Sequence, residues 1–156
     1  MRSEAARSNQ PDVARKAINR LATIHQVLLE KNDRYWADQV EIQRLSAAAW
    51  LDRDLKLMQS AADLEATTEK HPVTPGAILP ARELLSEMLL DLGKSKESFA
   101  EAVHALRDSP NRYNGLRLAA EAAERAGKTE EAKSYRAKIA RLRKGAMVTI
   151  TTISRR

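Results

Sequence analysis

Apolar residues recur at intervals of three and four along most of this chain, the period of a helix packed on one side. Ala14, Ala17, Leu21, Ile24 and Leu28 form one such stripe. It follows Asn9-Gln10-Pro11-Asp12, where Asn can cap a helix and Pro suits its first turn. Asn32-Asp33 ends this helix, and a second is predicted from Arg34 with Trp36, Val40, Leu45 and Ala48 as its apolar face. From Arg34 to Lys70 there is no Gly, Pro or Asn, while Leu55, Met58, Ala62 and Ala66 continue the spacing. One uninterrupted helix there would run to about 55 Å, far beyond the usual length. The polar cluster Asp52-Arg53-Asp54 therefore favours two helices with a tight joint at Leu51–Asp54, and the single long helix stays as the alternative.

The segment EKHPVTPGAILPA, residues 69–81, interrupts the pattern with Pro72, Pro75, Gly76 and Pro80. Residues 72–79 are expected to be non-helical and ordered, a joint between layers of one fold. Beyond it the signals sharpen. Pro80 suits the start of a helix from Ala81 to about Leu92, closed by Gly93 in the left-handed conformation. Ser95 can cap a helix to about Arg107, and Ser109-Pro110-Asn111 breaks the chain again. A further helix reaches Ala126 and closes at Gly127. Thr129 can cap the last helix, with Glu130 and Glu131 at its positive end, and Lys144-Gly145 is its expected stop. In the tail, residues 145–156, Val148, Ile150 and Ile153 alternate with Thr as strand formers do. A lone strand lacks a partner, so this tail is expected to be disordered or strand-like.

Gly93 and Gly127 are 34 residues apart, the period of the tetratricopeptide repeat. At that offset Leu85-Ser86 aligns with Ala119-Ala120, Leu89 with Ala123, Ser98 with Ala132 and Ala105-Leu106 with Ile139-Ala140. Leu85-Ser86, Gly93, Ser98, Ala105-Leu106 and Pro110 resemble the tetratricopeptide-repeat family column by column over residues 79–112. Residues 113–144 follow with two departures: Ala119 stands where a large apolar residue is usual, and Arg136 where an aromatic is common. The string EKHPVTPG…PARELL is also similar to C-terminal parts of uncharacterised bacterial proteins of this family. The resemblance implies an all-α fold, a right-handed helical-repeat solenoid of about seven antiparallel helices with an irregular N-terminal half. Such repeats need about three units to be stable, and residues 79–144 supply two. The irregular helices of 11–71 are therefore expected to serve as a third layer, making one domain of residues 9–144.

The composition narrows the chemistry. Hydrophobic residues are 43% of the chain, mostly Ala and Leu, enough for a core and biased to helix. No run of about eighteen apolar residues is present, so no membrane span is expected. The N-terminal residues lack the apolar stretch of a secretory signal, which makes a cytoplasmic location the default unless the chain is a piece of an exported protein. With no cysteine, disulfides and thiolate chemistry are excluded. The net charge of +6 is uneven: Lys128–Arg156 holds nine basic residues against Glu130 and Glu131.

Candidate chemistry is sparse. His25, His71 and His104 have no ligand at chelating spacing on their own helices, so no metal or cofactor is expected. Glu83/Glu87 and Glu121/Glu124 are carboxylate pairs at helical spacing, which gives a solvated face more readily than the cleft an acid–base pair requires. No phosphate loop or nucleophile motif occurs, and no catalytic residue is nominated. Through the resemblance, the concave partner-binding face would carry Glu83, Glu87, Asn114, Arg117, Glu121 and Arg125. Glu83 and Glu87 have the wrong sign for clamping a partner's C-terminal carboxylate. The expected function is a non-catalytic scaffold binding a protein or peptide, with self-association through exposed solenoid ends as a further use. The alternative is nucleic-acid binding by the basic last helix and tail. Against it stands the need of a terminal repeat for a polar outer face.

Overall fold

A computed structural model describes residues 10–68 and 79–153, with side chains as far as Lys144. Among the described residues there are seven α-helices and no strand. They are α1 (Pro11–Glu30), α2 (Arg34–Asp52), α3 (Leu55–Thr67), α4 (Ala81–Asp91), α5 (Ser95–Asp108), α6 (Tyr113–Arg125) and α7 (Thr129–Ile153). The chain divides into two compact units, Met1–Met88 and Leu89–Arg156, so the division falls inside α4. The Pro72–Gly76 stretch, with His71, lies outside the described residues, as does Asn9.

In the first unit α2 packs against α1 on one side and α3 on the other. A helix between two neighbours buries more than one stripe, and this displaces the expected face. Ala37, Ile42, Ser46, Ala47, Ala49 and Trp50 are the buried positions. Trp36 is 49% exposed and Val40, Leu45 and Ala48 are only half-buried. The α2–α3 joint forms at the polar cluster. Arg53 takes a left-handed φ of 55° and Asp54 accepts from the Lys56 and Leu57 amides at 2.8 and 3.2 Å. Asp54 thus satisfies two of the amides that a helix start leaves open.

In the second unit α6 lies between α5 and α7. Its buried side is built of Gly115, Leu116, Leu118, Ala119, Ala120, Ala122 and Ala123. Small residues let helices approach closely, and Gly115, Ala119, Ala120, Ala122 and Ala123 supply them on this buried side. Ala102, Leu106, Leu116, Leu118 and Ala119 form one core cluster, with Tyr135, Ile139 and Leu142 of α7 packed against it.

Three helices end in the same hydrogen-bonded turn. After α1, the Asn32 amide donates to Leu29 and the Asp33 amide to Leu28. After α4, Gly93 donates to Leu90 and Lys94 to Leu89; after α6, Gly127 donates to Glu124 and Lys128 to Ala123. This is the paired closure around a left-handed residue that satisfies the last carbonyls. Gly93 and Gly127 both have φ of 75°.

Two expected caps move by one residue. Ser95 and Thr129 are the first helical residues of α5 and α7 rather than their caps. The preceding Lys94 and Lys128 carbonyls accept the first helical bonds, from Ser98 and Ala132. The last helix also passes its expected stop and continues through Gly145 to Ile153, so residues 145–153 are helical rather than strand-like. A single interior Gly costs only about 1 kcal/mol, and Thr, Val and Ile each cost less than that relative to Ala. Once a helix is nucleated, each added residue gains a hydrogen bond, so such penalties weaken an extension without forbidding it.

Candidate partner-binding surface

Asn114, Arg117, Glu121 and Arg125 sit at intervals of three, four and four on α6, which aligns them along one face. They form a continuous polar row. Arg117 Nε and Nη2 both donate to Asn114 Oδ1, at 3.2 and 3.0 Å. Arg117 Nη1 donates to Glu121 Oε2 at 3.0 Å, and Arg125 Nη2 to Glu121 Oε1 at 2.6 Å. Arg125 Nη1 reaches the Leu90 carbonyl at 3.4 Å, so the row ends on the turn that closes α4.

The Arg117, Glu121 and Arg125 side chains are 38%, 33% and 51% exposed. Ion pairs this open to water contribute at most about 1 kcal/mol each. Their stronger effect is geometric. Glu121 is shared between two guanidiniums, Arg117 also donates to Asn114, and Arg125 also donates to the Leu90 carbonyl. The row is therefore a cross-linked strip of two guanidiniums, one amide and one carboxylate held in fixed positions on a half-exposed face.

Glu83 and Glu87 belong to the first unit. Glu83 is 2% exposed, so its carboxylate is not on an open surface, whereas Glu87 is half-buried. Position 83 faces inward because this helix is buried on most of its sides: Ala81, Leu84, Leu85, Ser86, Met88, Leu89 and Leu90 are buried as well.

Glu65 has a role that sequence spacing did not indicate. Its Oε2 accepts the Ala81 amide at 2.7 Å and caps α4 from sixteen residues away. The signal was partial: Pro80 has no side-chain acceptor, so the first amides of α4 needed one from elsewhere. Burial pushes the Glu65 carboxyl up; the Ala81 and Arg82 amides and the Arg82 guanidinium oppose the rise, and Glu83 adds to it. Arg82 also pairs with Asp63 at 3.4 Å.

The other candidates are dispersed. His25 Nδ1 lies 3.6 Å from Glu41 Oε2, and Arg44 holds both Glu41 oxygens at 2.7 and 2.6 Å. The Arg44 hydrogen bonds keep the Glu41 carboxyl below its usual range against the effect of burial. His104 is exposed on α5. Arg34, Tyr35, Asp38, Thr67 and Thr68 line an open hollow of about 240 Å³, smaller than the roughly 300–1,000 Å³ of ordinary ligand sites. Among the described residues no three His, Asp or Glu side chains converge on a metal position, and no helix is long and apolar enough to cross a membrane.

On α7, Ala132 is buried and Tyr135, Ile139 and Leu142 are half-buried, the inward stripe the sequence spacing predicts. Lys133, Arg136, Lys138, Arg141, Arg143 and Lys144 are all exposed. No family model, no curated protein and no solved structure matches the chain.

Proposed function

We propose that this chain is a non-catalytic scaffold of the tetratricopeptide-repeat type that binds a protein or peptide. Residues 79–112 and 113–144 serve as its regular repeats, and the helices before them as an irregular flank. The equivalent turns at Gly93 and Gly127, 34 residues apart, support the repeat reading. The observation that carries the binding site is the α6 row, where Asn114, Arg117, Glu121 and Arg125 are linked to one another on a half-exposed face while the other side of the helix is packed. A row of two fixed guanidiniums with an amide and a carboxylate between and beside them suits an extended peptide backbone or a mixed-charge side-chain array better than a single anionic group.

The test is affinity capture with the wild-type chain and with Arg117→Glu, read by quantitative mass spectrometry. A recovered partner is then titrated against both proteins. Charge reversal breaks the link to Glu121 and places two carboxylates side by side. The expected outcome is at least a tenfold loss of affinity with the helical spectrum retained. Equal affinity of the two proteins for the same partner rejects the row as the site.

A further inference from the structure

The last helix carries a second surface, independent of the α6 row. From Ala132 to Arg156 the sequence has eight Lys or Arg and no Asp or Glu. Six of these cations, from Lys133 to Lys144, are exposed on α7. They span twelve residues, or about 16 Å of helix axis. Two are committed to carboxylates: Lys133 to Glu130 at 2.8 Å, and Arg136 to Glu124. Among the described residues the other four make no ion pair. Lys138 lies over the Tyr135 ring at 4.9 Å. Arg143 donates to the Tyr113 hydroxyl at 2.8 Å and lies over that ring at 5.6 Å. Tyr113 is 30 residues away in sequence, so the fold, not local spacing, brings this aromatic to the basic face.

From these observations we infer that the exposed face of α7 binds the phosphodiester backbone of a double-stranded nucleic acid, without reading its bases. The partner follows from the chemistry of the face. An anionic membrane would call for an exposed apolar stripe to insert. The stripe of Tyr135, Ile139 and Leu142 is instead packed against the α5–α6 core. Single strands are held by open aromatic platforms, and Tyr113 is already engaged by Arg143. What remains is a rod of cations with little else, which suits the evenly spaced charges of a duplex backbone. Tyr113 holds the Arg143 guanidinium in place, so that contact costs little further ordering.

The test uses the full chain and a fluorescein-labelled 20-bp DNA duplex of mixed sequence, read by anisotropy. Four released counterions predict that affinity falls about 150-fold between about 50 and about 200 mM salt. Reversing Lys138, Arg141 and Lys144 to Glu is expected to weaken binding more than tenfold at the lower salt. Reversing the exposed Arg15, Lys16 and Arg20 of α1 to Glu changes the net charge equally and is expected to change affinity less than threefold. A lysine-labelling footprint on the wild-type protein supplies a readout that does not depend on variant folding: duplex should protect Lys138 and Lys144 but not Lys16. No duplex binding at the lower salt overturns the inference. So does equal loss in the two triple variants, or tighter binding to phosphatidylserine vesicles or to polyglutamate than to the duplex.

Discussion

Replacing Gly127 by Ala isolates the contribution of one closing turn. The residue has φ of 75°, and a Cβ built there meets nothing within 4 Å. Steric collision is therefore absent, and the cost is conformational. An L-residue in the left-handed region costs about 1–2 kcal/mol. Ala also restricts the unfolded chain, which offsets about 0.4–1 kcal/mol of that. The net expectation is a loss of about 0.5–1.5 kcal/mol, and the same for Gly93→Ala, whose φ and open surroundings are alike. With a urea slope of about 2 kcal/mol/M, the midpoint should fall by about 0.25–0.75 M. Far-UV circular dichroism is the suitable probe, because both tryptophans lie in the first unit. Arg53→Gly is the internal counterpart: it relieves a left-handed φ of 55° but removes a guanidinium 5.8 Å over the Trp50 ring. Strain relief is opposed by the freer unfolded chain and by about 0.5–1 kcal/mol of cation–π attraction, so its net effect should be near zero. A loss above about 3 kcal/mol for Gly127→Ala would mean a collision, which the open surroundings rule out. A gain in stability would mean that the turn does not need a left-handed residue, and either result refutes the reasoning.

Three further perturbations follow. Glu65→Ala removes the cap of α4 and should cost about 1–2 kcal/mol in urea unfolding, whereas Glu65→Gln keeps an acceptor and should cost less. Because the folded Glu65 carboxyl holds its proton more tightly than the unfolded one, wild type should lose stability relative to Glu65→Gln as pH rises from the ordinary carboxylate range through the raised folded value. Glu41 has the opposite sign: its lowered folded pKa stabilises above the ordinary value, and that advantage over Glu41→Gln should vanish as pH falls through the lowered value. Ala102→Leu places a large side chain at a fully buried site beside Ala119 and should cost about 1–3 kcal/mol by overpacking, measured as a urea-midpoint shift.

Helix positions were legible where the chain carries its own punctuation. Asn32, Gly93 and Gly127 stop helices because each takes a positive φ, and Pro11 starts one because its missing amide is not needed there. The α2–α3 joint was legible only as a preference, since Asp52-Arg53-Asp54 contains no Gly or Pro, and it is Arg53 rather than a neighbouring Asp that takes the left-handed φ. The buried face of α2 was misjudged because single-stripe reasoning assumes one neighbour and this helix has two. Asn114, Arg117, Glu121 and Arg125 were named through the family resemblance, and their linkage on α6 follows from local spacing of three and four. Glu65 and the Tyr113–Arg143 pair were not, because both join residues far apart in sequence.

Partner recognition by the α6 row is tested most directly by photo-crosslinking in the producing cell. A benzophenone side chain replaces Arg125, the most exposed end of the row, and a second protein carries it at exposed Lys96 on α5. Adducts are identified by mass spectrometry. The account predicts a polypeptide captured at position 125, absent at position 96, and lost when Arg117→Glu is added. Equal capture at the two positions, or capture at 125 that survives Arg117→Glu, contradicts it.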